Sequence, residues 1–244
     1  MVETVKALIK NYMLFLVEPA RLLLHPSYLP RYLEKRKLSS MPPSDRFKYY
    51  YEKGIWKNDE SNSGPGSRLK TTVNLRNELP SLLQKYKIST MLDIPCGDFH
   101  WMQHVDLRFV QYTGADVVEK IIEANSKSFA SKPASFCTID LLKDPIPRHD
   151  LILCRDCLVH FSFKDISKAI RNIKSSGSKF LFTTTFNFKK PKMNYDILTG
   201  EWRPINLELP PFNFLPPIFL IRENNDHAGK NDKCMGLWRI SDLP

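Results

Sequence analysis

Short apolar runs alternate along the middle of the chain with segments that carry apolar residues at helical spacing. Five such runs are typical of strands, at residues 91–93, 109–116, 134–140, 150–156 and 179–186. Helices are predicted at residues 68–78, 79–86, 117–128 and 165–175. Strands that alternate with helices indicate a parallel sheet whose carboxyl ends meet at one edge. Two later runs, at 218–221 and 234–240, predict a final strand pair.

The stretch MLDIPCGDF at residues 91–99 combines a strand end with a tight turn. The apolar run ends in Asp93, and the pattern breaks at Pro95 and Gly97, where glycine permits a positive φ or a close backbone approach. A helix is predicted to start at residues 100–102. The turn would then present backbone N–H groups beside a helix N-terminus, which suits a ligand with charged and polar groups. An ordinary strand-to-helix turn is the alternative.

Acidic residues also end the next two predicted strands. Asp116 lies about twenty residues after the first turn, where nucleotide-binding folds place a carboxylate for ribose hydroxyls. Asp140 ends the third strand. Each acid alone could be a strand-end cap or a surface charge. Three in succession along one edge favour a shared ligand.

Four segments resemble the ordered motifs of the class I S-adenosylmethionine-dependent methyltransferases: DIPCGD at 93–98, GAD at 114–116, ID at 139–140 and DLILCRD at 150–156. The chain is similar to a bacterial subgroup with ESxSGxGS, here at 60–67, and CRDCLVH, here at 154–160. It departs from the common first motif, because Pro95, Cys96 and Asp98 stand where glycines are usual.

The resemblance implies a Rossmann-like α/β fold with a mostly parallel seven-stranded sheet whose last strand is antiparallel. It places the methyltransferase domain at residues 57–244, after an N-terminal helical extension at 1–56. It also implies S-adenosylmethionine as cofactor, with Asp93 and the turn amides at the methionine end, Asp116 at the ribose and Asp140 at the adenine. The cofactor-binding residues implied are Asp93, Pro95, Cys96, Gly97, Asp98, Phe99, Asp116, Val117, Ile139, Asp140 and Arg155.

Three polar residues follow the fourth strand, where this fold places the reacting centre. His160 is the candidate general base, because its ordinary pKa lies near neutrality. Asp156 could orient His160 or accept the proton itself, and Arg155 could hold an anionic acceptor through two hydrogen bonds. In the alternative, Arg155 and Asp156 pair with each other or with the cofactor, while His160 caps the next helix.

Two irregular segments are candidates for contacting substrate. Residues 57–67 are rich in glycine and hydroxyl side chains, and they form either a linker or a lid that closes over the ligands. Residues 187–217 are long, irregular and aromatic, which favours an ordered substrate cover. The candidate substrate and lid residues are Trp56, Glu60, Ser61, Ser63, Gly64, Gly66, Ser67, Trp202 and Arg203.

The charge and cysteine content narrow the choice of partners and compartment. Lys and Arg number 36 against 26 Asp and Glu, a formal net charge of +10 that is spread along the chain. The balance is compatible with a phosphate-bearing acceptor, but no RNA-recognition module is evident and no nucleic acid is expected. The odd count of five cysteines favours reduced thiols in a cytoplasmic protein. Cys154 and Cys157 have no second pair at zinc-site spacing, so no metal is predicted.

The N-terminal 40 residues are the least informative part of the sequence. Apolar residues recur at helical spacing over 5–17, and the run is interrupted at Glu18 and Pro19, too early to span a bilayer. One interpretation is a helix that packs on the domain or on a second subunit in a homodimer. The other is peripheral membrane contact through residues 1–30.

The sequence therefore predicts a methyltransferase that acts on oxygen or nitrogen of a small-molecule or glycan-linked acceptor, which could carry phosphate. The alternative is a non-catalytic module of the same fold that binds a nucleotide-like ligand or a partner protein. A methyltransferase acting on RNA or protein is a third, weaker option. It is disfavoured by the absence of an Asn-Pro-Pro-Tyr-type tetrad after the fourth strand.

Overall fold

The computed structural model describes residues 29–186, 193–223 and 233–244. The helix predicted at residues 5–17 and the start of the predicted cover, residues 187–192, lie outside these ranges. Contacts divide the chain into two units, Met1–Pro42 and Pro43–Pro244. This boundary differs from the one predicted after residue 56. In the first unit the described part is dominated by helix α1, Leu29–Ser40.

The described part of the second unit contains four further α-helices and seven strands. The helices are α2 (Pro43–Glu52), α3 (Val73–Lys85), α4 (Glu119–Ser128) and α5 (Phe163–Ser175). The strands are β1 (Thr90–Asp93), β2 (Gln111–Asp116), β3 (Ala134–Thr138), β4 (Leu151–Cys154), β5 (Phe180–Phe186), β6 (Phe219–Arg222) and β7 (Lys233–Arg239).

All seven strands form one sheet in the order β3-β2-β1-β4-β5-β7-β6. β1 pairs in parallel with β2 and β4, and β5 continues the parallel set beside β4. β7 is antiparallel to both of its neighbours, β5 and β6. The predicted mostly parallel seven-stranded α/β sheet with an antiparallel last strand is therefore confirmed. Because β7 runs the other way, its first residue lies at the edge where the parallel strands end.

The alternation of side chains along the central strands separates two apolar clusters, one on each face of the sheet. Met91 belongs to one cluster and its neighbour Leu92 to the other. β4 is buried at all four positions, as expected for a strand covered on both faces. α5 covers the Leu92 face, and its buried residues are Ile166, Ala169, Ile170 and Ile173, the predicted core positions.

Two predicted helical segments differ from the observed ones. The sequence predicts two helices here, at residues 68–78 and 79–86. Instead α3 runs through Pro80, because its apolar stripe continues across that residue and is buried at Leu75, Leu79, Leu82 and Leu83. The helix expected to start at residues 100–102 is a single 3₁₀ turn at Met102–His104.

The described part of the predicted cover, residues 193–217, contains no regular helix or strand but contributes to the core. Ile205, Leu207, Phe212 and Phe214 are buried. The Phe186 N–H donates to the Ile205 carbonyl over 2.7 Å, which attaches the segment to the end of β5. This segment is therefore part of the folded domain as well as a wall of the site described below.

No helix in the described ranges is long and apolar enough to cross a membrane. The five cysteines all lie in those ranges, and none forms a disulfide.

The packing on β7 can be tested at Gly236, because a Cβ added there would overlap the indole ring of Trp238. That ring cannot swing away freely, since Trp238 is buried and its Nε1–H donates to the Leu215 carbonyl over 2.7 Å. We expect Gly236→Ala to lower the free energy of unfolding in urea by about 3 kcal/mol, the upper range for overpacking. Gly177→Ala is the control, because Gly177 has open space but a positive φ of 65°. Gly177→Ala should lower the free energy of unfolding by about 1 kcal/mol. Equal decreases in the two variants would contradict the predicted overlap with Trp238.

Candidate functional site

A cavity of about 1070 Å³ opens at the carboxyl edge of the parallel strands. It gathers most of the residues that the sequence singled out. The predicted cofactor residues that line it are Asp93, Pro95, Cys96, Gly97, Asp116, Val117, Ile139, Asp140 and Arg155. The predicted catalytic and substrate residues that line it are Arg155, Asp156, His160, Trp56, Ser63, Gly64, Gly66, Ser67 and Trp202.

Five predicted site residues do not line this cavity: Glu60, Ser61, Asp98, Phe99 and Arg203. Phe99 is buried, and its ring packs against Tyr112, Phe129 and Phe136 at centroid distances of 5.0, 4.9 and 5.3 Å. Its role is to anchor the turn after β1 in the core.

The turn after β1 offers no free amides to a ligand. The Cys96 N–H donates to the Ala115 carbonyl, and the Phe99 N–H donates to the Cys96 carbonyl. The Gly97 N–H donates to Asp116, and the Asp98 N–H donates to the Ser63 hydroxyl over 2.9 Å. The expectation that these amides flank the methionine end of a cofactor is therefore wrong for this conformation. The turn presents side chains to the cavity instead.

Asp98 fixes the loop at residues 57–67 onto this turn. Its carboxylate accepts hydrogen bonds from the Ser61 hydroxyl at 2.8 Å, the Asn62 N–H at 2.7 Å and the Ser63 hydroxyl at 3.1 Å. Gly97, with φ at 53°, is required here because a Cβ would overlap Ser63. The ESxSGxGS loop and the first motif are thus one interlocked structure.

The other end of the same loop contacts the residues after β4. The Gly66 carbonyl accepts from Arg155 Nη2 over 2.7 Å, and a Cβ on Gly66 would lie 2.8 Å from Asp156 Oδ2. Glu60 accepts from the Leu69 N–H over 3.0 Å on the outer side. The loop is therefore a wall of the cavity rather than a plain linker.

Four charged side chains meet near Gly66: Arg155, Glu223 and Lys233 are buried, and Asp156 is partly exposed. Arg155 donates to both carboxylate oxygens of Glu223, over 3.1 and 2.5 Å, and lies 3.3 Å from Asp156. Lys233 Nζ lies 2.5 Å from Asp156 Oδ2 and 3.3 Å from Glu223 Oε2. We call Arg155, Asp156, Glu223 and Lys233 the charge cluster. Its two cations and two anions balance, which is the condition for burying charges together.

The charge cluster determines the ionisation of its members. Burial opposes the charge of Arg155, but Glu223 and Asp156 outweigh it and raise the pKa of the guanidinium. Burial likewise opposes the charge of Asp156, but Lys233 and Arg155 outweigh it and lower the pKa of that carboxyl. Asp156 therefore stays a carboxylate near neutral pH and is a poor proton acceptor. Arg155 is paired with Glu223 rather than open to an anionic acceptor.

Glu223 and Lys233 were missed in the sequence. Glu223 directly follows β6 and Lys233 begins β7, so both lie at the edge where the other strands end. The available signal was positional: an antiparallel last strand brings its first residue to the carboxyl edge of its neighbours. Nothing in the local pattern marks these two residues as buried partners of Arg155.

Two buried carboxyls stand at the ends of β1 and β2. Burial raises the pKa of Asp93 to about 7, against the lowering effect of the hydrogen bond from the Tyr112 hydroxyl at 2.8 Å. Burial also raises the pKa of Asp116 to about 6, against the lowering effect of hydrogen bonds from the Val118 and Gly97 amides. A cationic ligand in the cavity would favour the ionised forms of both acids.

An apolar section of the wall follows β3. Ile139, Leu141 and Leu142 line the cavity together with Asp140. Asp140 Oδ1 accepts from the Leu142 N–H over 2.9 Å, and Lys143 Nζ lies 3.4 Å from Oδ2. The carboxylate is thus held at the rim of a surface that suits a flat apolar ring.

His160 lines the same cavity and is held in one tautomer. Its Nδ1 lies 3.0 Å from the Glu201 carbonyl, which can only accept, so Nδ1 carries the proton and Nε2 has a free lone pair when the ring is neutral. Burial lowers the pKa of His160, although Asp156 raises it in part. A neutral imidazole with an open Nε2 is the state that a general base requires. The helix cap predicted as its alternative role is filled by Ser162, whose hydroxyl accepts from the Asp165 N–H.

Arg203 binds the backbone on both sides of His160 and does not line the cavity. It is fully buried, and its guanidinium donates to the carbonyls of Leu158, Val159 and Phe161 over 2.7–3.1 Å. Nε donates to the Tyr195 carbonyl. Burial lowers the pKa of Arg203 to about 10, which still leaves it charged at neutral pH. The prediction of Arg203 as a substrate residue is therefore wrong, and its contacts fix the backbone that carries His160.

Aromatic side chains close the cavity beside His160, and α2 supplies part of this wall. Trp56 packs against His160 at 5.5 Å between ring centroids and against Phe47 of α2 at 6.0 Å. Tyr51, also on α2, lines the cavity too. Arg46 Nη1 of the same helix donates to the Thr199 carbonyl over 2.8 Å. The sequence analysis places the aromatic and basic run at 46–56 in the N-terminal extension. Its aromatic residues were the one sequence feature that could have indicated a cavity wall here.

No group of three or more His, Cys, Asp or Glu side chains in the described ranges is arranged to hold a metal ion.

Comparison with solved structures places this geometry in a known fold. The chain overlays the N-methyltransferase NodS from Bradyrhizobium japonicum WM9, in complex with S-adenosylhomocysteine, with a TM-score of 0.58 and 15% identity over 79% of this chain and 97% of that one. It overlays magnesium protoporphyrin IX methyltransferase from Synechocystis PCC 6803, with bound S-adenosylmethionine, with a TM-score of 0.53 and 12% identity over 82% and 98%. The chain has the Rossmann-like methyltransferase fold.

The methyltransferase domain of the bacterial protein CtHen1 gives a TM-score of 0.51 and 11% identity, over 69% of this chain and 99% of that one. No family model matches the sequence, and no curated protein matches it. At these identities the likeness concerns the fold.

The attachment of the loop to Asp98 is testable by hydrogen exchange. In Asp98→Ala, we expect the amides of Asn62 and Ser63 to exchange at least tenfold faster, because the loop loses hydrogen bonds to a charged acceptor worth roughly 1.5–3 kcal/mol each. Asp106→Ala is the matched control, since Asp106 is exposed and pairs only with Arg108 among the ion pairs of the described residues. Unchanged exchange at Asn62 and Ser63 in Asp98→Ala would contradict the interlock.

The raised pKa of Asp93 predicts a specific dependence of stability on pH. Its folded pKa of about 7 exceeds the ordinary 3.8, so its contribution to stability is full below pH 4 and is lost as pH rises through 7. Asp93→Asn removes that loss. We expect the unliganded variant to exceed the wild type in free energy of unfolding by about 4 kcal/mol at pH 8 and by about 1.5 kcal/mol at pH 5, because the loss accumulates between pH 4 and pH 7. Urea titrations at the two pH values measure this, and a variant less stable than wild type at pH 8 would refute the assignment.

Proposed function

We propose that this protein is an S-adenosylmethionine-dependent methyltransferase that acts on oxygen or nitrogen of a small-molecule or glycan-linked acceptor. One observation carries the proposal. The strand-end acids Asp93, Asp116 and Asp140 line the same cavity as His160, whose pKa is lowered by burial. The fold supports it, because NodS and the protoporphyrin methyltransferase with this fold hold S-adenosylhomocysteine and S-adenosylmethionine.

The residues in the cavity fit such a cofactor. Asp116 is oriented by the Gly97 and Val118 amides, and its carboxylate suits the ribose hydroxyls. Ile139 and Leu142 provide apolar contact for the adenine ring, with Asp140 as the acceptor for its amine. Asp93 is a buried acid that gains from a nearby cation, as the methionine end would supply.

S-adenosylmethionine, when bound, supplies a methyl group on a positively charged sulfur. His160 removes the proton of the acceptor through Nε2, which is unprotonated in the neutral tautomer. Asp156 remains ionised beside Lys233 and favours the imidazolium that results, without taking the proton itself. Arg155 positions the Gly66 end of the loop and takes no part in proton transfer.

Calorimetric titration with S-adenosylmethionine and S-adenosylhomocysteine tests the proposal. We expect micromolar binding of both, weakened at least tenfold, or about 1.4 kcal/mol, in Asp116→Ala and to a similar degree in Asp116→Asn. Asp106→Ala should bind like the wild type, since its carboxylate lies outside the cavity.

Absence of binding by wild-type protein with a cooperative thermal unfolding transition would overturn the cofactor assignment. It would leave the non-catalytic module as the better description. Binding that is equal in wild type and both Asp116 variants would overturn the proposed orientation of the ribose.

A further inference from the structure

We propose that the acceptor is an uncharged ring that carries a free hydroxyl, stacked on aromatic side chains beside His160. This inference rests on the proposed function and narrows its acceptor. It departs from the phosphate-bearing acceptor that the charge of the sequence suggested.

Aromatic side chains line the cavity around His160. Trp56 contacts the His160 ring, and Trp202 packs edge-on to Phe186 at 6.2 Å. Trp202 is nevertheless 56% exposed, so most of its indole surface is available to a ligand. Flat aromatic surfaces bind rings, through C–H contacts with a sugar face or through offset stacking with another aromatic ring. The lining residues of this acceptor end are Trp56, His160, Phe161, Phe186, Trp202 and Pro204.

The cationic side chains of the cavity already have partners. Among the described residues that line the cavity, the Lys and Arg side chains are Arg155 and Lys233. Both are paired with Glu223 and Asp156 in the charge cluster. Arg203, the other candidate for an anionic group, points away and binds backbone carbonyls. A phosphate or carboxylate on the acceptor would have to break a buried ion pair to gain a partner.

The acids outside the charge cluster determine the sign of the remaining charge. Asp93, Asp116 and Asp140 line the same cavity, and Asp140 is paired with Lys143. The ionised forms of Asp93 and Asp116 make the cavity negative, which favours a cationic cofactor and disfavours an anionic acceptor. Burying an unpaired anion on top of that field costs more than burying a neutral ring.

A general base in the cavity favours oxygen as the reacting atom of the acceptor. A neutral amine already has a lone pair, whereas a hydroxyl must lose a proton as it attacks, so a base at this position serves oxygen most. His160 Nε2 takes the hydroxyl proton while the oxygen forms a bond to the methyl carbon and the electrons of the carbon–sulfur bond stay with sulfur. The products are a methyl ether, an imidazolium and neutral S-adenosylhomocysteine.

Two matched pairs of probes test the inference on protein saturated with S-adenosylhomocysteine. Methyl β-glucopyranoside against glucose 1-phosphate represents the sugar case, and phenol against phenyl phosphate represents the aromatic case. We expect saturation-transfer NMR to show saturable binding of at least one neutral probe, with its phosphate ester at least tenfold weaker.

The variants assign this binding to the proposed surface. Trp202→Ala should abolish the signal of the neutral probe, and Trp202→Phe should retain most of it, while affinity for S-adenosylhomocysteine stays the same in both. Phe109→Ala is the matched control, because Phe109 is 88% exposed and lies outside the cavity. It should bind like the wild type.

The outcomes distinguish a failure of the acceptor inference from a failure of the proposed function. A phosphate ester that binds as tightly as its neutral partner, or failure of every neutral probe to bind protein saturated with S-adenosylhomocysteine, overturns the acceptor inference alone. Failure to bind S-adenosylhomocysteine at all overturns the proposed function before the probes are compared.

Discussion

The buried charge cluster is the constraint on which the rest of the site depends. Arg155 after β4 is paired with Glu223 after β6, and Lys233 at the start of β7 is paired with Asp156. Loss of one member of a buried ion pair leaves an uncompensated charge, at a typical cost of roughly 3–5 kcal/mol. The cluster therefore requires the ends of β4 and β6 and the start of β7 to lie at the same edge. Through the Gly66 carbonyl it also holds the loop that walls the cavity.

The cavity offers two kinds of chemical environment. The acids at the ends of β1 and β2 have raised pKa values and suit a cationic ligand. His160 packs against the Trp56 ring, with its proton fixed on Nδ1 by the Glu201 carbonyl. In the proposed function, a donor bound at the acids and a neutral acceptor bound at the aromatic rings would meet near a base that is unprotonated at neutral pH.

The sequence predicted the features that arise from local patterns. The sheet followed from apolar runs, the core face of α5 from helical spacing, and the acids from their positions at strand ends. The turn amides were predicted wrongly, because their acceptors, Asp116 and the Ser63 hydroxyl among them, come from distant segments. Glu223, Lys233 and the true role of Arg203 depend on tertiary pairing of charges, which leaves no periodic signal in a single sequence. α2 lies within the predicted extension at 1–56, and its aromatic residues Phe47 and Tyr51 line the cavity, a contact that depends on tertiary packing.

The most direct test of the account is a crystal structure of the protein with S-adenosylhomocysteine. We expect the adenosine between Asp116 and the Ile139–Asp140 segment, the α-amino group of the homocysteine end near Asp93, and the sulfur facing His160 and Trp56. Ligand bound in the cavity with its sulfur turned away from His160, or bound elsewhere on the protein, would contradict it.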